Sequence, residues 1–319
     1  MKKYYIAALS ILLLLGVSYW FFSSSPPKEV STSDMGEVEE EREVMNGAEY
    51  GSIGYGLENL SGKIIDEGST LTSTDNEVSV IASVDNNIDE DRRYALLIFE
   101  DYEQVKFKVE NKGQDVNKYF FDMKPNSSLN FKVSVPIRSD SSELTFVIVQ
   151  KPEYKLKELD LVRAGILEQV LSMRFSINQA DSGKDVKKFK EVKPDAIVKD
   201  GLNENISITN SQEKLQSIMT EKEGKKLKLS AGNETNDQIS YAIIALKDWE
   251  QVPIIDNTEV LHTTVPPETR NLFDFKLPEV QRENNFQLIA FPFPYEVNAD
   301  SYESQQTFGS FRVVIQDKK

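Results

Sequence analysis

Residues 94–105 read YALLIFEDYEQV, and residues 241–252 read YAIIALKDWEQV. Six of the twelve aligned positions are identical, and most of the others exchange one apolar or aromatic residue for another. Each copy is an apolar run followed by a charged residue, an aspartate, an aromatic residue and Glu-Gln-Val. A short continuous apolar run of this kind suits a central strand covered on both faces. Self-similarity at this level predicts two tandem copies of one module.

Working outward, Val78, Val80 and Ala82 precede the first copy as Leu227, Leu229 and Ala231 precede the second. FDMK at 121–124 is matched to FDFK at 273–276, Phe131 to Phe286, and VIVQ at 147–150 to VVIQ at 313–316. Val78/Val80/Ala82 and Phe131/Val133/Val135 alternate with polar or outward residues, the period of a half-buried strand. KPNSS at 124–128 and SDSS at 139–142 are turn clusters. Short strands with turns at this spacing predict a mainly all-β chain. The architecture expected is two tandem duplicated, immunoglobulin-like antiparallel β-sandwich domains, with a closed barrel as the main alternative. The first module is placed at residues 50–153 and the second at 170–319. Between them, residues 154–169 form a connector in which Leu159, Val162 and Ile166, with Val170 just beyond, recur at helical spacing. Leu171, Met173, Phe175 and Ile177 then alternate as the first strand of the second module.

At the other end, residues 4–22 carry no charge. As a helix they span about 28 Å, close to the hydrocarbon thickness of a bilayer. Tyr4 and Tyr5 at one end and Tyr19 and Trp20 at the other suit the two headgroup interfaces, and Lys2 and Lys3 keep the preceding end in the cytoplasm. The expectation is an N-terminal transmembrane signal-anchor at 4–22, residues 1–3 cytoplasmic, and the C-terminal body extracytoplasmic. A cleaved secretory signal is the alternative, and bulky Trp20-Phe21-Phe22 followed by Pro26-Pro27 disfavours cleavage. Residues 23–49 are Ser/Pro-rich and then acidic, the composition of a disordered stalk.

The chain has 37 basic and 52 acidic residues, a net charge of −15, one histidine and no cysteine. Such a surface repels nucleic acid and anionic lipid. Without cysteine there is neither a disulfide nor a thiol nucleophile, and stability rests on packing. A cysteine-free chain rich in lysine, asparagine and glutamate points to a bacterial cell surface.

No motif in the sequence carries recognisable reaction chemistry. A single histidine, His262, makes no zinc cluster and is read as an exposed loop residue. Asp101/Glu103 and Asp248/Glu250 recur in both copies and are the carboxylate pairs to inspect for hydrolysis; the competing reading has them shaping a turn beside Tyr102 or Trp249. Asp85, Asn87, Asp89 and Asp91 space oxygen ligands as a calcium loop does, without its glycine or terminal glutamate. Phe293 and Tyr295, held by prolines in what reads as an insertion of the second copy, are candidate contact residues, as are Tyr102 and Trp249. No phosphate loop or dinucleotide fingerprint is present, so no cofactor is expected.

Duplication of a whole module favours binding over catalysis. The function expected is a membrane-anchored, non-catalytic binding or scaffolding protein whose partner is another protein or a cell-wall component. The alternatives are a carboxylate-dependent cell-wall hydrolase and an accessory or sensor subunit of a membrane complex.

Overall fold

Residues 94–99 and 241–246 form the centre of the structure, each strand covered on both faces. A computed structural model describes residues 51–110, 112–178, 187–200, 202, 204–210 and 217–318. The expected anchor, the stalk and the cytoplasmic end lie outside them. Among the described residues no helix is long and apolar enough to cross a membrane.

The first body contains β1 (Ser52–Glu58), β2 (Ile64–Ile65), β3 (Thr70–Thr72), β4 (Glu77–Asn87), β5 (Arg92–Glu100), β6 (Glu103–Gln104), β7 (Lys108–Val109), β8 (Tyr119–Met123), β9 (Ser127–Pro136), β10 (Glu143–Gln150), helix α1 (Leu161–Glu168) and β11 (Leu171–Asn178). One sheet has the order β2-β1-β4-β9-β7 and the other β3-β11-β10-β5-β6, with β8 also on β5. The second body contains β12 (Ala196–Val198), β13 (Ile206–Thr209), β14 (Thr220–Lys222), β15 (Lys226–Asn233), β16 (Ile239–Lys247), β17 (Glu250–Val252), β18 (Val260–Val265), β19 (Thr269–Lys276), β20 (Asn284–Pro292), α2 (Tyr302–Gln305), β21 (Phe308–Gly309) and β22 (Val313–Gln316). Its sheets run β12-β19-β15-β13 and β14-β22-β20-β16-β17, with β18 on β16 and β21 on β20. Both bodies are β-sandwiches, and pairing is antiparallel except for β3 with β11 and β14 with β22.

The strict alternation of side chains along a strand divides the two central runs between three cores. Tyr94, Leu96 and Ile98 enter the core of the first sandwich with Val80, Val133, Phe146 and Phe175. Tyr241, Ile243 and Ala245 enter that of the second with Leu229, Phe273 and Leu288. The intervening residues Ala95, Leu97 and Phe99 meet Ala242, Ile244 and Leu246 in a third apolar cluster with Val147, Val149, Ile289 and Phe291. Four sheets are thus stacked, and the two sandwiches share their middle layers. Burying a leucine- or phenylalanine-sized side chain contributes roughly 1.5–3 kcal/mol, which explains why no polar residue interrupts 94–99.

Pairing registers correct the outward extension of the internal match. Tyr94 pairs with Gln150 and Tyr241 with Pro292, so β10 answers β20. Leu144 pairs with Phe175 and Phe286 with Val313, so β22 answers β11, not residues 147–150. Val80 pairs with Val133 and Leu227 with Phe275. Phe131 therefore answers Phe273, not Phe286, and Val80, not Val78, answers Leu227. The cause is geometric: sliding a strand by two residues leaves its apolar face unchanged, so an apolar pattern cannot fix the register between copies. The supposed insertion at 291–310 is likewise the counterpart of 149–172, with α2 where the first body has α1.

Two further expectations change. Met173, Phe175 and Ile177 do form a strand, but it closes the first sandwich by pairing with β10, so the first body continues past residue 153. Helix α1 therefore lies within that body rather than between modules, capped by Asp160, whose side chain accepts from the Arg163 N–H. It buries Ala164 and Leu167 against Leu156, Met219 and Phe311. Leu159 and Val162, on the expected stripe, are exposed.

Because Leu97 serves only the shared layer, Leu97→Ala is expected to cost about 2–5 kcal/mol. Urea unfolding followed by far-UV circular dichroism measures this. The loss should broaden the transition as the sandwiches uncouple.

Candidate functional site

The duplicated Asp-Tyr and Asp-Trp dipeptides form two-residue hairpin turns, closing Glu100 on Glu103 and Lys247 on Glu250. Both residues of each turn have positive φ: Asp101 50°, Tyr102 69°, Asp248 45° and Trp249 69°. This is the left-handed pair that a type I′ hairpin needs and that Asn-Gly usually supplies. An L-residue there costs about 1–2 kcal/mol. The aspartates offset the cost: Asp101 Oδ1 accepts the Ser142 and Glu143 N–H groups at 3.0 and 2.9 Å, and Asp248 Oδ1 accepts the Asn285 N–H at 2.8 Å. The aromatic rings do the rest by entering the seam between the bodies, where Tyr102 and Trp249 are buried.

At the seam the bodies hold each other reciprocally. The Gln104 N–H donates to Gln251 Oε1 at 2.6 Å, and the Gln251 N–H donates to Gln104 Oε1 at 2.8 Å. Trp249 of the second body donates its indole N–H to Pro152 O at 2.8 Å. In the mirrored position the Tyr102 hydroxyl accepts the Tyr295 N–H at 3.0 Å. Arg174 and Arg312, each immediately before the matched Phe175 and Val313, cross in the same sense. Arg174 donates to Pro292 O at 2.8 Å, and Arg312 donates to Gln150 O at 2.9 Å, on the residue that answers Pro292. The arrangement is that of an isologous dimer built within one chain.

The two halves differ in charge. Arg174 is fully buried, with Nε 2.9 Å from Glu143 Oε1, and its remaining N–H groups reach Glu143 Oε2, the Tyr102 hydroxyl, Pro292 O and Gln306 O. All the guanidinium donors are therefore used. Tyr102 also donates to Glu143 Oε2 at 2.5 Å. Burial opposes the charge on Arg174, but Glu143 and Tyr102 outweigh it, and its pKa is raised. Burial, then Glu143, pushes the Tyr102 hydroxyl well above its usual value. In the second half Asn285 stands where Glu143 does. Arg312 lies over the Trp249 ring at 4.7 Å with Nε unpartnered, and burial lowers its pKa to about 9.

Two of the candidate contact residues meet here, but inward. Tyr102 and Tyr295 stand 5.2 Å apart by ring centroids, Trp249 occupies the matching place at the other end of the seam, and Phe293 packs against the core of the second sandwich. Tyr102 and Trp249 are thus removed from any external partner, a correction to their expected role, because the turn that displays them points into the seam. His262 is also corrected: it pairs opposite Ala242 in β18, at 9% exposure, and stacks with Phe189 at 4.5 Å and Tyr295 at 6.1 Å. Burial lowers its pKa to about 4.

The acidic candidates are committed elsewhere. Asp101 binds Lys187 at 2.7 Å, Glu103 binds Arg138 at 2.5 Å, and Glu250 binds Lys118 at 2.9 Å. Lys118 holds Glu250 below the usual carboxylate range. Asp85 and Asn87 lie within β4, and Asp91 pairs with Lys124 at 2.7 Å. Among the described residues no group of three His, Asp or Glu could hold a metal ion. Sequence reasoning missed the buried Arg174–Glu143 pair, whose members are 31 residues apart; the only available signal was a charged residue inside each alternating apolar segment.

No family model and no curated protein sequence matches the chain. Among solved structures it is similar to the E. coli chaperone DraB, at 10% identity over 84% of this chain and 97% of that one, with a TM-score of 0.24. It is similar to the Pseudomonas aeruginosa chaperone CupB2 at 12% identity over 77% and 98%, TM-score 0.23. A third, the Caenorhabditis elegans SSP-19, an MSP-domain protein like family member, aligns at 12% identity over 34% and 94%, TM-score 0.21. Likeness at these scores bears on neither activity nor partner.

Removing Glu143 strands a buried cation, so Glu143→Gln is expected to cost about 3–5 kcal/mol in denaturant unfolding. The apolar double replacement Glu143→Leu/Arg174→Met should cost less than that single change. Between about pH 6.5 and 4 the unfolded chain binds a proton at His262 that the folded chain excludes. Stability therefore falls as pH falls through that window, by about 3 kcal/mol at its end. Glu168, raised to about 7 chiefly by burial, acts in the opposite sense between about pH 4.5 and 7. The His262 contribution is read as the difference between the wild-type chain and His262→Gln across a pH series of thermal melts.

Proposed function

We propose that the chain is a membrane-anchored, extracytoplasmic, non-catalytic binding or scaffolding protein of a bacterial cell surface, whose two sandwiches act as one rigid body. The observation that carries this reading is the reciprocal seam. The duplicated turns and the buried arginines are spent on joining the bodies, and of the acid pairs Glu250 reaches Lys118 of the first body while Asp101, Glu103 and Asp248 are held by groups near their own turns. The outer surfaces are left to meet a partner, which the composition suggests is another protein or a cell-wall component. Residues 4–22, with Lys2 and Lys3 before them, support the anchor and its orientation.

One observation favours a second reading, a carboxylate-dependent cell-wall hydrolase. Glu168 is raised to about 7, by burial first and then by Glu204, and both line one open depression. An acid held protonated near neutrality beside a second carboxylate is what glycoside cleavage uses.

Two measurements separate these readings. In cells, the chain should sediment with membranes and lose its body to externally added protease; full protection of the body would refute the extracytoplasmic placement. On incubation with purified cell walls, the full chain in detergent should release no soluble fragments. Release that Glu168→Gln abolishes would establish the hydrolase instead.

A further inference from the structure

Three adjoining depressions run along one side of the seam. The first is walled by Tyr55, Glu67, Tyr302 and Gln305. It shares Val170, Thr307 and Phe308 with the second. The second shares Glu168, Glu204 and Ile206 with the third, the smallest of the three. Together they make one continuous groove, with one wall from the α1–β11 junction of the first body and the other from β13 and residues 305–311 of the second. The wall segments are pressed close: a Cβ on Gly309 would lie 2.2 Å from Glu168 O, and one on Gly68 would lie 2.4 Å from Asn298 O. The groove is therefore set by the rigid joining of the two sandwiches and belongs to neither alone.

Its lining has a definite chemistry. Among the described residues no lysine or arginine lines the three depressions, whereas Glu67, Glu168 and Glu204 do, which disfavours an anionic ligand. Tyr55 and Tyr302 are among the few large exposed aromatics, at 38% and 72% exposure, and both stand on the first depression. Between them and the far end the walls carry amide, hydroxyl and carboxyl groups, including Gln305, Gln306, Ser172 and Asn205. Aromatic rings at a mouth and amide, hydroxyl and carboxyl groups beyond it fit a linear polyhydroxylated chain, whose ring C–H faces stack and whose hydroxyls both donate and accept. An extended peptide would instead ask for a row of apolar side-chain pockets.

We propose that this groove binds a neutral oligosaccharide strand, with Tyr55 and Tyr302 stacking on sugar rings and the groove's amides and carboxyls bonding their hydroxyls. The inference deepens the binding reading by naming the ligand class, and its test needs only the purified full chain. A chain found in the wrong compartment would refute the placement without touching the result below.

The full chain in detergent micelles is titrated calorimetrically with chitotetraose, cellotetraose and maltotetraose, and each mixture is observed by saturation-transfer NMR. At least one tetrasaccharide should bind. Tyr302→Ala, a change at an exposed ring, should weaken that binding about tenfold or more while leaving the melting temperature unchanged, and Glu168→Gln should weaken it measurably. Absence of binding by all three sugars at millimolar concentration would overturn the proposal. So would binding indifferent to both substitutions, or binding of an oligolysine peptide alone. Chromatography of the same mixtures reports cleavage: intact sugar supports a binding groove, whereas shortened sugar would keep the ligand class and replace the non-catalytic reading.

Discussion

The packing of one β-sheet face on another across the seam is the constraint on which the rest of this structure depends. Ala95, Leu97 and Phe99 on one side and Ala242, Ile244 and Leu246 on the other exclude water from a layer that neither sandwich could leave exposed. A contiguous apolar face of that size on a lone module would be an aggregation surface. Duplication supplies each copy with a partner of the same shape, and tethering within one chain makes that partner available at high effective concentration. The Gln104–Gln251 exchange and the crossing of Trp249 and Tyr102 fix the register of the two faces.

Within that frame the copies have diverged in electrostatics. One end carries a buried ion pair with every guanidinium donor satisfied; the other carries an arginine stacked on indole, with Asn285 where the carboxylate would be. The cost of desolvating Arg174 is met by Glu143 and by main-chain carbonyls of the opposite body. At Arg312 it is met by two carbonyls and an aromatic face, and burial consequently lowers its pKa. The two ends therefore differ in strength although their backbone plan is shared. The groove lies beside the seam, so its shape follows from the same packing, and a change at the apolar layer would reach it through the α1–β11 junction.

What the sequence determined by itself was the fold class and the duplicated central strand. A run of six apolar residues followed by a charged residue and then Asp-aromatic-Glu-Gln-Val carries a local instruction: bury both faces, turn tightly, and return. Because strand periodicity and turn chemistry are properties of consecutive residues, they were legible at 94–105 and 241–252 without a structure. The strand at 171–177 was legible for the same reason. Its owner was not, since nothing in Met173, Phe175 and Ile177 says which sheet they will join. Tertiary pairing alone assigned that strand to the first sandwich, set the register between copies, and turned Tyr102 and Trp249 inward. It also drew His262 out of its expected loop into a buried stack, and it brought Arg174 to Glu143 and Tyr55 towards Tyr302. These depend on contacts between residues far apart in the chain, for which a two-residue slide leaves the local pattern intact. Only close packing of whole faces distinguishes one register from the next.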